Sequence, residues 1–340
     1  ACAIRPKKSR AGRSTKQKLY ELQYNGARHL FEKHPDLTAL CWNGLNGTRN
    51  AFMKGARDAG ARRLFFELAP LPGHLTVDPV GVNYLNSLPR TIAPYLDWAA
   101  KAGGAMDGWR QLRREIRQRK GEAKAGGSDA LPSLQEPFIF VPLQVPNDSQ
   151  LRLFGGAYRT VPALIEAVAD AARFLPEGWH VRIKEHPSAT VSFADEVGAV
   201  RDRRVYLDNT TDTFEQVKAS RAVLTVNSSV GLEAMFYDKP VIAAGKCFWS
   251  LEGVTRPAQT PDDLAKVFSD PEALDFDEDF RNAFLSYLVR EYYIRVDWLP
   301  DGSARMPDTE IPKVEAKLRG CPLMPGASQR AYARGLTQVA

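Results

Sequence analysis

Polar side chains follow a buried stretch in the segment "FVPLQVPNDSQL", residues 140–151. The apolar run is typical of a core β-strand, yet Gln144, Asp148 and Ser149 come within a few residues of its end. A carboxylate in such a place can act as a nucleophile or carry a proton, and a neighbouring amide and hydroxyl can orient it. We predict that Asp148 takes part in chemistry and that Gln144 and Ser149 support it.

A histidine follows a second apolar stretch, "VRIKEHPSA". Lys184 and His186 alternate along this strand, so the two-residue period directs both to one side of the sheet. Pro187 lacks a backbone N–H and ends the hydrogen-bonded ladder, which leaves the imidazole at the rim. A His-Pro pair alone is a weak signal, since the pair at His34 is explained by a turn that ends a helix. The strand-end position favours a binding role for residues 184, 186 and 187.

A third apolar run ends in "VNSSVGLEA". Asn227 leads into Ser228 and Ser229 at the first turn of a helix, where unpaired N–H groups and hydroxyls can bind an anion. Glu233 comes one turn later and can accept hydrogen bonds from ribose hydroxyls. An ordinary serine N-cap followed by a glutamate explains the same letters, so both interpretations stay open.

An acidic residue ends a fourth strand, in "FFELAPLPGHLTVDPVGVN". Glu67 directly follows the apolar letters "LFF", and a carboxyl group held beside apolar surface suits a general acid or base. Asp78 and Asn83 come later, in a stretch rich in Pro and Gly that is typical of a solvated loop. Of these three residues we predict a catalytic role for Glu67 alone.

The elements that must position these residues alternate between strand and helix. In the second half, the strands "FIFVPLQV", "HVRIKEHP", "RVYLD", "AVLTVNSS" and "KPVIAAG" are separated by helical segments, which predicts a doubly wound α/β domain. Ligands bind beyond the carboxyl ends of the strands in such sheets. This rule gives weight to polar residues that stand at strand ends.

The first half reads strand, helix, strand in "LTALCWNG", "NAFMKGARDAG" and "RRLFFELAP", which implies a parallel pair and a Rossmann-like unit. The polar stretch "RQRKGEAKAGGSDALPSLQEP" has the composition of a linker. We therefore predict an N-terminal domain over residues 1–130, a C-terminal Rossmann-like domain over 137–300 and an extension over 301–340. The first half has few strands for a complete domain. Either some of its strands are irregular, or an upstream portion is missing from this sequence.

Composition narrows the class of protein. The chain of 340 residues carries a net charge of +6, which favours anionic partners without identifying one. Its basic residues are dispersed, so nucleic-acid binding is not expected. Four widely spaced cysteines, Cys2, Cys41, Cys247 and Cys321, predict a reducing compartment and no structural zinc. We expect a cytoplasmic protein, and the basic first 18 residues are either a solvated tail or a peripheral contact with anionic lipid at the inner membrane.

Taken together, the stretches resemble the bacterial capsule-polysaccharide synthesis family, whose characterised members include β-Kdo glycosyltransferases that use CMP-Kdo (Kdo is 3-deoxy-D-manno-oct-2-ulosonic acid). The resemblance is carried, in order, by "WNG", "FELAPLPGHLTVDPVGVN", "VPLQVPNDSQ", "KEHP" and "NSSVGLEAMFYDKPVIAAG" with "CFWSLEGVT". These stretches run from Trp42 to Thr255 and cover about two thirds of the chain. One departure is "ELAP" after the strand, where the family has a different residue following the glutamate.

The resemblance implies an α/β fold with two Rossmann-like domains in a GT-B-like arrangement. It implies a retaining transfer with Asp148 as nucleophile and Glu67 as a second essential acid. It further implies that the nucleotide-sugar is bound by the C-terminal domain, through Gln144, Ser149, Lys184, His186, Pro187, Asn227, Ser228, Ser229 and Glu233.

The sequence thus predicts a glycosyltransferase that moves β-Kdo from CMP-Kdo to a capsule or lipopolysaccharide glycan or glycolipid. CMP leaves with a single phosphate that hydroxyls, N–H groups and an imidazole can neutralise, so no metal or other cofactor is expected. Two alternatives remain. One is a CDP-glycerol-type phosphotransferase of cell-surface polymer synthesis, and the other is a non-catalytic partner in capsule assembly.

Overall fold

The structure is a computed structural model, which describes residues 10–116, 127, 128 and 130–319, with side chains from Ser14 onward. Its helices are α1 Arg10–Lys33, α2 Gly47–Asp58, α3 Ala93–Ala102, α4 Ser149–Phe154, α5 Val161–Ala172, α6 Ala194–Gly198, α7 Thr213–Ala219, α8 Ser229–Met235, α9 Pro261–Ser269, α10 Glu278–Tyr287 and α11 Ile311–Leu318. Its strands are β1 Thr38–Trp42, β2 Arg62–Leu68, β3 His74–Asp78, β4 Phe138–Pro142, β5 His180–Lys184, β6 Val205–Leu207, β7 Ala222–Thr225, β8 Val241–Ala243, β9 Arg256–Pro257, β10 Tyr293–Arg295, β11 Asp297–Trp298 and β12 Ala304–Arg305.

The chain divides into two compact units. The first combines the N-terminal residues up to Leu68 with Leu75–Ser87 and the segment that begins at Tyr292, and the second contains Ala69–His74 and Leu88–Glu291. The predicted division near residues 130–137 differs from these units. The sequence could not reveal this, because β10 joins the first sheet from a position more than 200 residues away in the chain.

The first unit is built on a mixed sheet in the order β1-β2-β3-β10. Strands β1 and β2 are parallel and are connected by α2, as the sequence predicts, whereas β3 runs antiparallel to β2. One face of the sheet packs Ala39 and Phe65 against α1 and α2, through Phe31 and Met53. On the other face, Leu64, Val77 and Ile294 form a small core with α11.

Asp78 is a structural residue of the first unit. It ends β3 and is fully buried, and its Oδ1 accepts hydrogen bonds from the backbone N–H groups of Val80 (2.8 Å) and Gly81 (3.0 Å). Its Oδ2 accepts from the N–H and hydroxyl of Ser87 and, at 3.0 Å, from the hydroxyl of Tyr292. The prediction that Asp78 lies in a solvated loop is therefore wrong, because the carboxylate organises the turn that follows β3.

The C-terminal segment is anchored in the first unit by a buried lysine. Lys317 of α11 is 1% exposed, and its Nζ donates to the backbone carbonyl of Tyr292 at 2.9 Å and stands over the ring of that tyrosine. Burial lowers the pKa of the Lys317 ammonium to about 8, although the negative charge of Asp78 opposes the shift. The segment from Tyr292 onward is thus an integral part of this unit.

The second unit is built on a six-stranded sheet in the order β6-β5-β4-β7-β8-β9, in which every pairing is parallel. Its four central strands are fully buried, as expected for a sheet with helices on both faces. Counted from β4, this is the strand order 3-2-1-4-5-6 of a dinucleotide-binding Rossmann fold. The order in which strands are added to the sheet reverses between β4 and β7, and the predicted doubly wound domain is present.

Candidate active site

A cavity lies at the carboxyl ends of β4, β5 and β7, beside the point where the strand order reverses. Ligands bind at this point in open α/β sheets. Six of the predicted site residues line the cavity, namely Lys184, His186, Pro187, Ser228, Ser229 and Glu233. Pro142, Leu143, Glu185, Thr213, Phe214 and Val230 complete its wall. The structure thus brings these six residues together, although Lys184 and Glu233 are 49 positions apart in the chain.

His186 is oriented by the loop that it begins. Its Nδ1 accepts a hydrogen bond from the backbone N–H of Ser188 at 3.1 Å, and its carbonyl accepts one from Ala189 at 2.9 Å. Because Nδ1 is the acceptor, the neutral ring carries its proton on Nε2. Nε2–H is therefore the group with which this side chain can donate to an anion.

Ser228 and Ser229 stand at the start of α8. The Ser228 hydroxyl accepts from the backbone N–H of Val230 at 3.3 Å, so the serine N-cap interpretation is confirmed for Ser228. The helix has only seven residues, so an anion bound here would depend mainly on the serine hydroxyls. Gly231 lets α8 lie close to the end of β7, since a Cβ there would come within 2.8 Å of the Thr225 side chain and within 2.6 Å of the Trp249 ring.

Asp148 is held by its own helix and by Gln144. It is the N-cap of α4, where Oδ1 accepts from the backbone N–H of Gln150 at 2.8 Å, and Oδ2 accepts from Gln144 Nε2 at 3.2 Å. The predicted support from Gln144 is thus present, and Ser149 is the first residue of the helix that Asp148 caps. Asp148 lies outside the cavity wall, and Gln144 connects it to Asn227, the residue before Ser228.

Lys184 is committed to the protein backbone. It is 5% exposed, and its Nζ donates to the carbonyls of Asn209 (2.8 Å) and Thr211 (2.7 Å) in the turn after β6. Burial lowers the pKa of this ammonium, against the opposing charges of Asp208 and Asp212. Two of its three donors are used, so Lys184 shapes the cavity mainly by holding this turn.

Arg182 and Asp208 form a buried ion pair that holds the same turn. The two side chains are 2.5 Å apart, and neither is more than 3% exposed. Burial alone would raise the pKa of Asp208, but hydrogen bonds from Thr211 and Arg182 outweigh it and lower the pKa to about 2. The alternation that directs Arg182 and Lys184 to one side of the sheet thus serves to fix the start of α7.

Glu67 belongs to the first unit, where it lies at the end of β2, next to Leu68. Its Oε2 accepts from Asn43 Nδ2 at 2.6 Å, and its Oε1 accepts from the backbone N–H of Leu68 at 3.0 Å. Asn43 adopts a φ of 64°, and Gly44, with a φ of 72°, packs against the Phe65 ring. The letters "WNG" therefore encode a tight turn that brings an amide onto Glu67.

Sequence reasoning missed three polar or aromatic residues of the cavity wall, Glu185, Thr213 and Phe214. Thr213 and Phe214 follow β6 and begin α7, so the strand-end rule applied to β6 would have found them. Glu185 lies within the motif "KEHP". It is hydrogen-bonded to Asn209, 24 positions later, and no local sequence pattern predicts that contact.

The described part of the chain offers neither a metal cluster nor a membrane span. No group of three or more His, Cys, Asp or Glu among residues 10–116, 127, 128 and 130–319 is placed to hold a metal ion. Over the same residues, no helix is both long and apolar enough to cross a bilayer. Metal independence stays a prediction.

The chain belongs to the capsule polysaccharide biosynthesis protein family. The family's profile matches residues 105–298, more than half of the sequence. The resemblance inferred from the motifs is confirmed, and every predicted site residue from Gln144 to Glu233 lies within the matched range. Glu67 lies before it, so its assignment rests on the motif alone.

Two relatives resemble much of the chain. Protein FixF of Sinorhizobium fredii is 30% identical over 260 residues, which are 76% of this chain and 60% of FixF. The capsule polysaccharide export protein KpsS of Escherichia coli is 23% identical over 280 residues, which are 67% of this chain and 72% of KpsS. The chain therefore spans about three fifths of the length of FixF.

One solved structure shows the fold. KpsC of Thermosulfurimonas dismutans, a beta Kdo 2,7 transferase, superposes with a TM-score of 0.51 at 17% identity, covering 85% of this chain and 88% of that chain. At this identity the similarity establishes the fold and not the activity. The predicted fold class, α/β with Rossmann-like units of the GT-B type, is confirmed.

Proposed function

We propose that this chain is a retaining glycosyltransferase that moves a β-Kdo residue from CMP-Kdo to a capsule or lipopolysaccharide glycan acceptor. It would act in the cytoplasm, with peripheral contact at the inner membrane. Family membership and a fold shared with a beta Kdo 2,7 transferase support the proposal. The observation that carries it is the cavity at the strand ends, which gathers one imidazole, two serine hydroxyls and Glu233.

These groups suit a nucleoside monophosphate leaving group. His186 offers Nε2–H as a donor because its Nδ1 accepts from Ser188. The hydroxyls of Ser228 and Ser229 line the same cavity and can donate to phosphate oxygens. Donors that are already oriented toward a developing charge stabilise the transition state at little reorganisation cost. Glu233 lines the same cavity one turn further along α8, and we assign to it the ribose hydroxyls, from which it would accept hydrogen bonds.

The proposed chemistry is a double displacement. A carboxylate oxygen of Asp148 attacks the anomeric carbon of Kdo, and the bond from that carbon to the phosphate oxygen breaks, so CMP leaves with the electron pair. An acceptor hydroxyl then attacks the same carbon and gives its proton to Glu67, which releases Asp148. The hydrogen bonds that Asp148 accepts from Gln144 Nε2 and from the backbone N–H of Gln150 fix the direction of its carboxylate.

The direct test is incubation of the protein with CMP-Kdo and short capsule-type glycans. We expect release of CMP together with a mass increase of one Kdo residue on the glycan, and retention of the anomeric configuration in the product. Release of CMP without a glycan product would indicate only hydrolysis. Failure to consume CMP-Kdo with every acceptor tried would overturn the proposal.

One observation favours a second candidate, a CDP-glycerol-type phosphotransferase. Asp148 caps α4 and lies outside the cavity wall, which is the position expected of a structural aspartate. Such an enzyme breaks a phosphoanhydride and needs no carboxylate nucleophile. The imidazole and the serine hydroxyls would still donate to the leaving phosphate. Incubation with CDP-glycerol distinguishes the candidates, because only the phosphotransferase would release CMP from it. A non-catalytic partner would turn over neither donor.

A further inference from the structure

We propose that Glu185 and Asn209 are positioning residues that fix His186 against the donor phosphate. The inference rests on the proposed function and goes beyond it, because neither residue has a role in the proposed chemistry. Glu185 lines the cavity beside His186 and is only 4% exposed. Asn209 stands in the turn after β6, two positions before Thr211.

The two residues are joined by hydrogen bonds in both directions. The backbone N–H of Glu185 donates to Asn209 Oδ1 at 3.0 Å, and Asn209 Nδ2 donates back to Glu185 Oε2 at 3.0 Å. The carbonyl of Asn209 also accepts from Lys184 at 2.8 Å. The carboxyl ends of β5 and β6 are therefore fastened to each other immediately before His186.

The second oxygen of Glu185 closes the loop that carries His186. Oε1 accepts from the hydroxyl of Ser192 at 3.0 Å and from the backbone N–H of Phe193, the N-cap of α6. One carboxylate thus ties together the end of β5, the turn after β6 and the start of α6. The segment between Glu185 and Phe193 is held at both ends, and His186 is its first residue.

A carboxylate paired with an amide is suited to this arrangement. Glu185 must present acceptors to three donors from two directions, which a buried apolar or neutral side chain cannot do. Burying a carboxylate is unfavourable unless it is hydrogen-bonded. Supporting groups of this kind hold a site residue in its productive orientation, and their loss at metal sites typically lowers affinity or activity 10- to 100-fold.

An exchange of the two side-chain types tests the proposal. In Glu185→Gln the new amide faces the amide of Asn209, donor against donor, and in Asn209→Asp two carboxylates face each other. In the double variant the amide at 185 can donate to the carboxylate at 209, while the backbone N–H of residue 185 and the donors of residues 192 and 193 keep their acceptors. The pairing is thus restored with the charge on the other residue. Asn25→Ala, on an exposed position of α1, serves as the control.

We expect each single variant to raise the dissociation constant of CMP and the KM of the donor at least 10-fold, with the acceptor KM unchanged. The double variant should return to within about threefold of the unaltered protein. The imidazole resonances of His186, assigned with His186→Gln, should shift or broaden in the single variants and recover in the double variant.

Two outcomes overturn the proposal. One is unaltered CMP affinity and unaltered His186 resonances in both single variants, and the other is a double variant no better than the singles. The NMR arm keeps the two proposals separate. If the unaltered protein fails to bind CMP, the proposed function falls, whereas the positioning of His186 by Glu185 and Asn209 is still decided by the resonances.

Discussion

Gln144 and Asn227 form a two-way hydrogen-bonded pair across the carboxyl ends of β4 and β7. Gln144 Nε2 donates to Asn227 Oδ1 at 2.9 Å, and the backbone N–H of Asn227 donates to Gln144 Oε1 at 3.2 Å. The same Gln144 Nε2 also contacts Asp148 at 3.2 Å. The pair therefore links the proposed nucleophile to the segment that presents Ser228 and Ser229.

Asp148→Asn should abolish transfer and leave the fold intact. Asparagine is as good an N-cap as aspartate, so α4 keeps its cap, but an amide cannot form the glycosyl ester. We expect a slightly lower melting temperature, because the new amide cannot accept the hydrogen bond from Gln144 Nε2, together with unchanged CMP affinity and transfer below detection. Asp277→Asn, at the N-cap of α10, is the matched control and should remain active. Near-normal transfer by Asp148→Asn would make Asp148 a structural cap.

Glu67→Gln should slow the second half of the reaction more than the first. The amide removes the proton acceptor for the sugar hydroxyl but leaves Asp148 free to attack the donor. We expect slow turnover and an adduct on Asp148 that intact-mass spectrometry detects as one added Kdo residue. The double variant Glu67→Gln/Asp148→Asn is the control, and it should show no adduct. Unimpaired transfer by Glu67→Gln would exclude Glu67 as the proton carrier.

His186→Ala and Ser229→Ala should each lower the turnover rate. Removing one donor to a developing charge typically costs on the order of 10²–10³ in rate. The circular dichroism spectra should match that of the unaltered protein, since both residues line a cavity rather than a core. His34→Ala, which alters an exposed histidine of the other His-Pro pair, should have no effect. Collapse of the spectrum would indicate a purely structural role.

Cytidine nucleotides should stabilise the protein against heat. A ligand that binds only the folded state raises the melting temperature, by an amount that grows with the logarithm of its concentration relative to its dissociation constant. We expect CMP and CTP to raise it clearly and UDP and ADP to have little effect, because the proposed donor carries cytidine. EDTA should leave transfer largely intact. A preference for UDP, or loss of activity in EDTA that added metal restores, contradicts this prediction.

His180 should make the protein sensitive to mild acid. It is 3% exposed, stacks on Phe138, and neither ring nitrogen has a hydrogen-bond partner among the described residues. Burial, with a smaller effect from the Arg182 charge, lowers the pKa of His180 from 6.5 to about 4. Between these values the unfolded state binds more protons than the folded state, so stability is lost as the pH falls from about 6.5 to about 4.

The loss attributable to His180 should approach about 3 kcal/mol of unfolding free energy. Denaturant titrations at pH 7 and pH 4 measure it as the difference between the unaltered protein and His180→Phe, which removes the titrating group and keeps the stacking. His34→Gln, on the surface, should follow the unaltered protein. Equal pH dependence in His180→Phe would show that His180 is not the group responsible.

The sequence anticipates the second unit well and the first unit less well. The strands that end at Pro142, Lys184 and Thr225 are runs of buried residues, so both their position and the polar groups after them could be predicted. The role of Asp78 could not, because one of its partners, Tyr292, is 214 positions away. A local sequence pattern cannot predict contacts between residues so far apart in the chain.

The contacts of the site residues differ in how far the sequence predicts them. His186 and Ser229 lie two and four positions beyond the ends of β5 and β7, and both line the cavity at the strand ends. Lys184 stood in the same pattern, but its commitment to two backbone carbonyls depends on a turn from the neighbouring strand. Residue types and their spacing predict at which edge of the sheet a side chain lies. Its hydrogen-bond partners depend on which other segment of the chain packs beside it.

The composition of the first unit has a consequence for the order in which the protein matures on the ribosome. Its final strand and helix, β10 and α11, follow residue 291, while the second unit lies almost wholly between residues 88 and 291. Domains generally fold as units while the chain is being synthesised. The second unit can therefore be complete while Asp78 still lacks Tyr292, so the unit that holds Asp78 is synthesised earlier but finishes folding later.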